Sequence, residues 1–115
     1  MQQYYPLKHH MEGGLYTREI FMPKGHLTVT FIHKQQHPSF LLQGKVTVAN
    51  EEETIDHIAP CFIISTPGIK RVLYAHEDSI WFNTHKNPSN TEDIKQLEKE
   101  IVAITYEEYE EYIKN

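Results

Sequence analysis

The chain has 115 residues, with eleven basic and sixteen acidic side chains for a formal charge of −5, a size that makes one domain with a modest core. The acidic balance excludes a non-specific nucleic-acid binder, which needs a basic footprint to displace phosphate counterions. No long apolar run and no charged start ahead of an apolar core are present, so no membrane span and no signal peptide are expected. The single cysteine, Cys61, fits a reducing, cytoplasmic setting and reads as a small buried apolar group.

Residues 1–14 are polar and aromatic, with Pro6 and the Gly13-Gly14 pair, and read as an irregular arm. Tyr4 and Tyr5 suit packing on a neighbouring copy or on the chain's own barrel. Residues 15–86 read as the β domain. Leu15 to Phe21 alternates as a strand, and Met22-Pro23-Lys24-Gly25 is a turn. Leu27 to Ile32 predicts a strand that puts Leu27, Val29 and Phe31 on one face with His33, and His26, Thr28 and Thr30 on the other. A polar, proline-bearing corner carries His33 and His37. Phe40 to Ala49 follows, broken at Gln43-Gly44, and Asn50-Glu51-Glu52-Glu53 is a solvated loop.

Thr54 to Ile58, Cys61 to Ser65, Arg71 to Ala75 and Ser79 to Thr84 read as further short strands. Ala59-Pro60, Thr66-Pro67-Gly68-Ile69 and His76-Glu77-Asp78 separate them. Strands and turns at this spacing predict an all-β jelly-roll barrel. In residues 87–115 the period changes to that of a helix. Asn90 or Thr91 caps a helix with Ile94, Leu97 and Ile101 on one side and acids in its first turn. Thr105-Tyr106-Glu107-Glu108 is a capping-box pattern opening a second helix that carries Tyr109 and Tyr112 or Ile113. This short C-terminal helical tail either packs on the barrel or serves a protein partner.

The spacing Gly25, Phe31-Ile32-His33, His37, Gly44 resembles the first motif of small cupins, which places glycine, His-x-His, glutamate and glycine at those intervals. Phe31 stands at the first histidine and His37 at the glutamate. Pro60, Thr66-Pro67-Gly68, Arg71 and Ala75 overlie the second motif, with Gly68 the one identity and Arg71 at the histidine. Met22-Pro23-Lys24-Gly25, the His33 to His37 corner, Ala59-Pro60 and Glu77-Asp78-Ser79-Ile80-Trp81 running to His85 resemble cupin-like proteins encoded in bacteriophage genomes. The resemblance implies a cupin-type barrel, self-association as a dimer, and a place in the host cytoplasm or virion.

Eight histidines are present, and neutral imidazole is the commonest side-chain metal ligand. His33 and His37 are candidate ligands by register, and His85, at the end of the Trp81 strand, is the third. A set of this kind suits Zn, Fe, Mn or Ni. His57 and His76, beside acids at loop edges, read as exposed. Arg71 repels a cation but holds a carboxylate or phosphate with paired hydrogen bonds, which makes it the candidate for binding a small polar or anionic ligand. Two other readings stand beside the metal site. One is an interaction or structural module, in a virion or on a host factor, that keeps the barrel without the metal. The other is a sugar-nucleotide isomerase or epimerase using His33 or His37 as base and Tyr74 as acid. No Gly-x-Ser-x-Gly elbow, phosphate-binding loop or His-Glu-x-x-His is present, so no catalytic residue is assigned.

Overall fold

Alternating apolar and polar residues fold into two large antiparallel sheets that share one core, beside a separate two-stranded ladder, in a computed structural model that describes residues 7–114. The larger sheet has the order β1-β2-β10-β5-β8, formed by Leu7–Glu12 (β1), Leu15–Met22 (β2), Ser79–Lys86 (β10), His37–Gln43 (β5) and Cys61–Ser65 (β8). The smaller sheet, β3-β9-β6-β7, joins Leu27–Val29 (β3), Val72–Ala75 (β9), Lys45–Ala49 (β6) and Thr54–Ile58 (β7). Met22, Leu41 and Trp81 from the first sheet and Val46, Leu73 and Ala75 from the second are buried against one another. The jelly-roll expectation is met.

Three local departures from the expectations have physical causes. Residues 1–14 are not an irregular arm throughout, because β1 pairs along β2 from Leu7↔Ile20 to Glu12↔Leu15. Gly13 and Gly14 take φ of 61° and 77°, the left-handed pair that closes a two-residue hairpin. The expected packing of Tyr4 and Tyr5 lies outside the described residues.

The strand expected from Leu27 to Ile32 breaks after Val29. The Thr30 amide still bonds the Arg71 carbonyl at 2.9 Å and its hydroxyl accepts from the Arg71 amide at 3.0 Å. Beyond that the chain leaves β9, and Ile32–His33 (β4) pairs instead with Val102–Ala103 (β11), a strand the sequence did not suggest. The break resets the alternation: Leu27 and Val29 are exposed outside, while Thr28 and Thr30 line the same cavity as His33. Phe31 turns away and packs with Tyr16, Leu97 and Ile101.

The tail is helical as expected, with a different start. Asp93, not Asn90 or Thr91, caps helix α1 (Ile94–Ile101), its Oδ1 accepting from the amides of Lys95 at 3.0 Å and Gln96 at 3.4 Å. The acids expected in the first turn therefore precede it. Leu97 and Ile101 bury themselves beside Tyr16 and Val102, which fastens the tail to the barrel. In helix α2 (Tyr106–Lys114), Thr105 Oγ1 accepts from the Glu108 amide at 3.1 Å, while the Glu108 carboxylate accepts from the Ile104 amide at 2.8 Å. Among the described residues, no helix is long and apolar enough to cross a membrane.

Candidate metal centre

Strand β10 sends Ser79, Trp81, Asn83 and His85 inward, all buried, and β5 does the same with His37, Ser39 and Leu41. Asn83 is opposite Ser39 in the register; one inward position further along each strand, His85 and His37 face each other across the pair. His33 reaches the same point from β4. The ring centroids are 4.3 Å apart for His33 and His37, 4.2 Å for His37 and His85, and 4.9 Å for His33 and His85. One ring nitrogen from each of the three lies within 4.8 Å of the others. The structure thus brings together His33, His37 and His85, the three histidines that the sequence put forward.

The hydrogen bonds leave a ring nitrogen without a partner on two of the three histidines. His37 Nδ1 donates to the Gln35 carbonyl at 3.0 Å; since a carbonyl only accepts, the proton sits on Nδ1 and the lone pair on Nε2. Nδ1 of His33 and Nδ1 of His85 are buried without a hydrogen-bond partner, a costly condition for a polar atom. Beneath the cluster, Asn83 Oδ1 accepts from Ser39 Oγ at 2.7 Å and Trp81 Nε1 at 2.8 Å, and the hydroxyls of Ser39 and Ser65 are 2.9 Å apart. Sequence reasoning missed Asn83 and this network. Its signal was the unbroken alternation from Ser79 to His85.

Burial is the main cause that pushes His33 down to about 2 and His85 to about 3. The charge of His37 and Arg18 lowers both further, and His85 and Arg71 add to the effect on His33. Burial also lowers His37, opposed by its bonds to Gln35 and Asn83. All three rings are therefore neutral at neutral pH, the form that ligates metals.

A cavity of about 330 Å³ opens beside the cluster. His33, His37, Asn83 and Ser65 form its polar wall, and Ile20, Met22, Ile63, Leu73 and Trp81 its apolar wall. His85 stands behind, its ring 6.5 Å from that of Tyr16. Arg71 lines the cavity towards the exposed Glu52 and Glu53, and its Nη2 donates to the carbonyl of Thr66 at 3.0 Å and to its hydroxyl at 3.1 Å.

Other candidates fall elsewhere. Tyr74 is exposed on the outer side of β9 with its ring against His76, outside the cavity lining, which removes it as an acid for an isomerase. Its neighbour Leu73 takes the inward position. His57 and His76 are half-buried, not exposed: His57 lines the cavity, and His76 Nε2 is hydrogen-bonded with Thr47 Oγ1. Cys61 is likewise half-buried instead of fully enclosed, its Sγ 3.6 Å from His57 Nδ1.

No protein-family model matches the sequence, and no curated protein is similar to it. Solved structures do share the architecture. A cupin-2 domain protein from Shewanella frigidimarina superposes with a TM-score of 0.60 at 9% identity, over 75% of this chain and 84% of that one. A cupin superfamily protein from Desulfitobacterium hafniense gives 0.63 at 7% identity, over 75% and 80%. A variant of salicylate 1,2-dioxygenase from Pseudoaminobacter salicylatoxidans gives 0.59 at 16% identity, over 66% of this chain and 22% of that protein. The fold is the cupin fold, here enclosing three buried histidines that stand close enough to share an ion.

Proposed function

We propose that this is a small metal-binding cupin in which His33, His37 and His85 hold a divalent transition ion, and Arg71 receives the anionic end of a small ligand in the adjoining cavity. The observation that carries this reading is the meeting of three neutral imidazoles from three strands, two of them with a buried ring nitrogen that no protein group satisfies. In a tetrahedral site with bonds of about 2.0–2.1 Å, ligand nitrogens stand about 3.3 Å apart, so side-chain adjustment of roughly 1 Å completes the centre. Three ligands leave positions open for water or substrate. An ion bound there would supply Lewis acidity or an activated water. The all-imidazole set suits Zn, Fe, Mn or Ni. The carboxylate-bearing compound in the name of the neighbouring salicylate dioxygenase is consistent with a role for Arg71.

The test is metal content. Protein purified without a chelating tag, wild type and His33→Ala/His37→Ala, is analysed for metal per chain by mass spectrometry. About one equivalent in the wild type, falling to background in the double variant, is expected. Wild-type protein that stays empty after incubation with each of the four metals would leave the interaction-module reading in its place.

Arg71 is tested separately. Benzoate or another small carboxylate, titrated into metal-loaded protein, is expected to bind about 10-fold or more weaker to Arg71→Met, the loss of a charge-assisted hydrogen-bonded pair, at unchanged metal content. Equal affinity in the two proteins would remove Arg71 from the site.

A further inference from the structure

Beside His85, outside the cavity lining, lies a buried phenol that the metal centre does not use. Tyr16 is fully buried on β2, directly opposite His85 on β10, and Met11, Phe31, Leu97, Ile101 and Val102 close around it. Its ring centroid is 6.5 Å from that of His85, with 24° between the planes, and 5.7 Å from that of His9, with 14°. Three nearly parallel rings thus lead from the buried cluster to β1, where His9 is exposed. The phenol oxygen stands 2.5 Å from His9 Nδ1 and accepts from Arg18 Nε at 3.2 Å. A guanidinium only donates, so among the described residues Nδ1 is the acceptor for the phenol's own proton. Burial first, and the charge of Arg18 next, hold His9 below its usual pKa, with Glu98 opposing and His10 adding. The ring is therefore neutral at neutral pH, with a lone pair to offer. A buried tyrosine is satisfied by one hydrogen-bond partner; this one has both a base and a cation.

We infer that Tyr16 is a redox-active tyrosine that passes single electrons between the histidine centre and oxidants at the surface, its proton moving to His9 and back. The inner terminus of that path rests on the metal reading above; the oxidation of Tyr16 does not. In the step, one electron leaves the phenol for a one-electron oxidant, the O–H bond breaks, and the proton goes to His9 Nδ1. A neutral phenoxyl radical and an imidazolium remain, and the oxidant is reduced by one electron. The Arg18 guanidinium, 5.6 Å from the ring centroid, makes a charged radical costly, since like charges repel strongly where water is excluded. Electron and proton therefore leave together. Glu98, 4.0 Å from Arg18 Nη2, offsets the charge that arrives on His9. An electron returned from a ferrous ion held by His85, with the proton from His9, restores the phenol. Burial keeps the Tyr16 radical from coupling with another, which the exposed Tyr74, Tyr106 and Tyr112 cannot avoid.

Illumination of metal-free full-length protein with tris(bipyridine)ruthenium and persulfate, then freezing and electron paramagnetic resonance, tests the tyrosine itself. A persistent tyrosyl signal is expected in the wild type and is lost in Tyr16→Phe. His9→Leu, on the exposed edge strand, is expected to slow its formation about 100-fold, the usual contribution of a positioned base. Circular dichroism confirms that each variant is folded, and His9→Leu carries the test if Tyr16→Phe does not fold. For the inner terminus, protein loaded with zinc, which has no redox chemistry, is expected to keep the signal. Protein loaded with iron(II) is expected to lose it as the phenol is refilled. A signal undiminished in Tyr16→Phe, or formed as fast in His9→Leu, would overturn the proposal. So would a signal of equal size with zinc and with iron(II). Failure to take up either ion, read as metal per chain, would sink the metal reading and the inner terminus with it, while the metal-free signal still decides whether Tyr16 is oxidised.

Discussion

Gly44→Ala is expected to destabilise the protein by about 3 kcal/mol or more, the sum of left-handed backbone strain and overpacking. Gly44 joins β5 to β6 with φ at 95°. A Cβ placed there would stand 2.7 Å from the Asp78 carbonyl oxygen and 2.8 Å from Ser79 Cα, and would overlap Ser79 Oγ. Backbone cannot swing aside as a flexible side chain can, so β10 itself has to move. Ser79 is fully buried and begins the inward row that ends at His85. Gly25→Ala supplies the comparison: Gly25 has φ of 83° with nothing within 4 Å of the added carbon, so it pays the strain alone, about 1–2 kcal/mol. Urea unfolding followed by the fluorescence of Trp81, buried at 5% exposure, measures both. Equal losses at the two positions would show that close approach at Gly44 is unimportant.

Metal-free protein is expected to lose stability steeply below about pH 6.5, the ordinary pKa of histidine. Above it, His33 and His85 are neutral in both the folded and the unfolded chain, and neither adds pH dependence. Below it the unfolded chain takes up protons that the buried rings refuse, so stability falls as pH falls. This continues to about 3 for His85 and about 2 for His33, where the folded protein also becomes protonated. Well below pH 6.5, each ring costs about 1.4 kcal/mol per pH unit. Two units of acidification then remove about 5 kcal/mol through these two rings, comparable with the whole stability of a small domain. The lowered pKa of His37 acts in the same direction. Urea unfolding in the presence of a chelator across this range gives the slope, and His33→Gln is expected to reduce it by about 1.4 kcal/mol per unit. A slope unchanged by that substitution would mean that His33 is not held neutral.

Much of this architecture was legible because short strands announce themselves by alternation and by the turns between them. Ser79 to His85 shows it best: one inward row, uninterrupted, ends on an imidazole, and pairing with β5 brings that imidazole to His37. What escaped reading depends on partners far away in the chain. Thr30 is ordinary strand sequence, and nothing local says that its hydrogen bonds to Arg71 are the last before the chain departs; the facing of Leu27, Val29, Thr28 and Thr30 was accordingly inverted. β1 was hidden for a different reason, since His9, His10 and Glu12 lie on an exposed edge where burial imposes no apolar pattern. The identity of Asp93 as cap over Asn90 or Thr91 turned on a shift of two or three residues among several residues able to cap.

Strand β4 belongs to neither large sheet; its ladder neighbour is β11. Val102 sits opposite His33, and the Lys34 amide and ammonium donate to the carbonyls of Ile101 and Lys99 at 2.8 and 2.7 Å. His37 and His85 meet across two strands of the larger sheet, whereas His33 is held by the tail strand β11 and by the Gly68 amide, which donates to its carbonyl at 3.0 Å. The C-terminal tail thus helps to set the third corner of the histidine cluster.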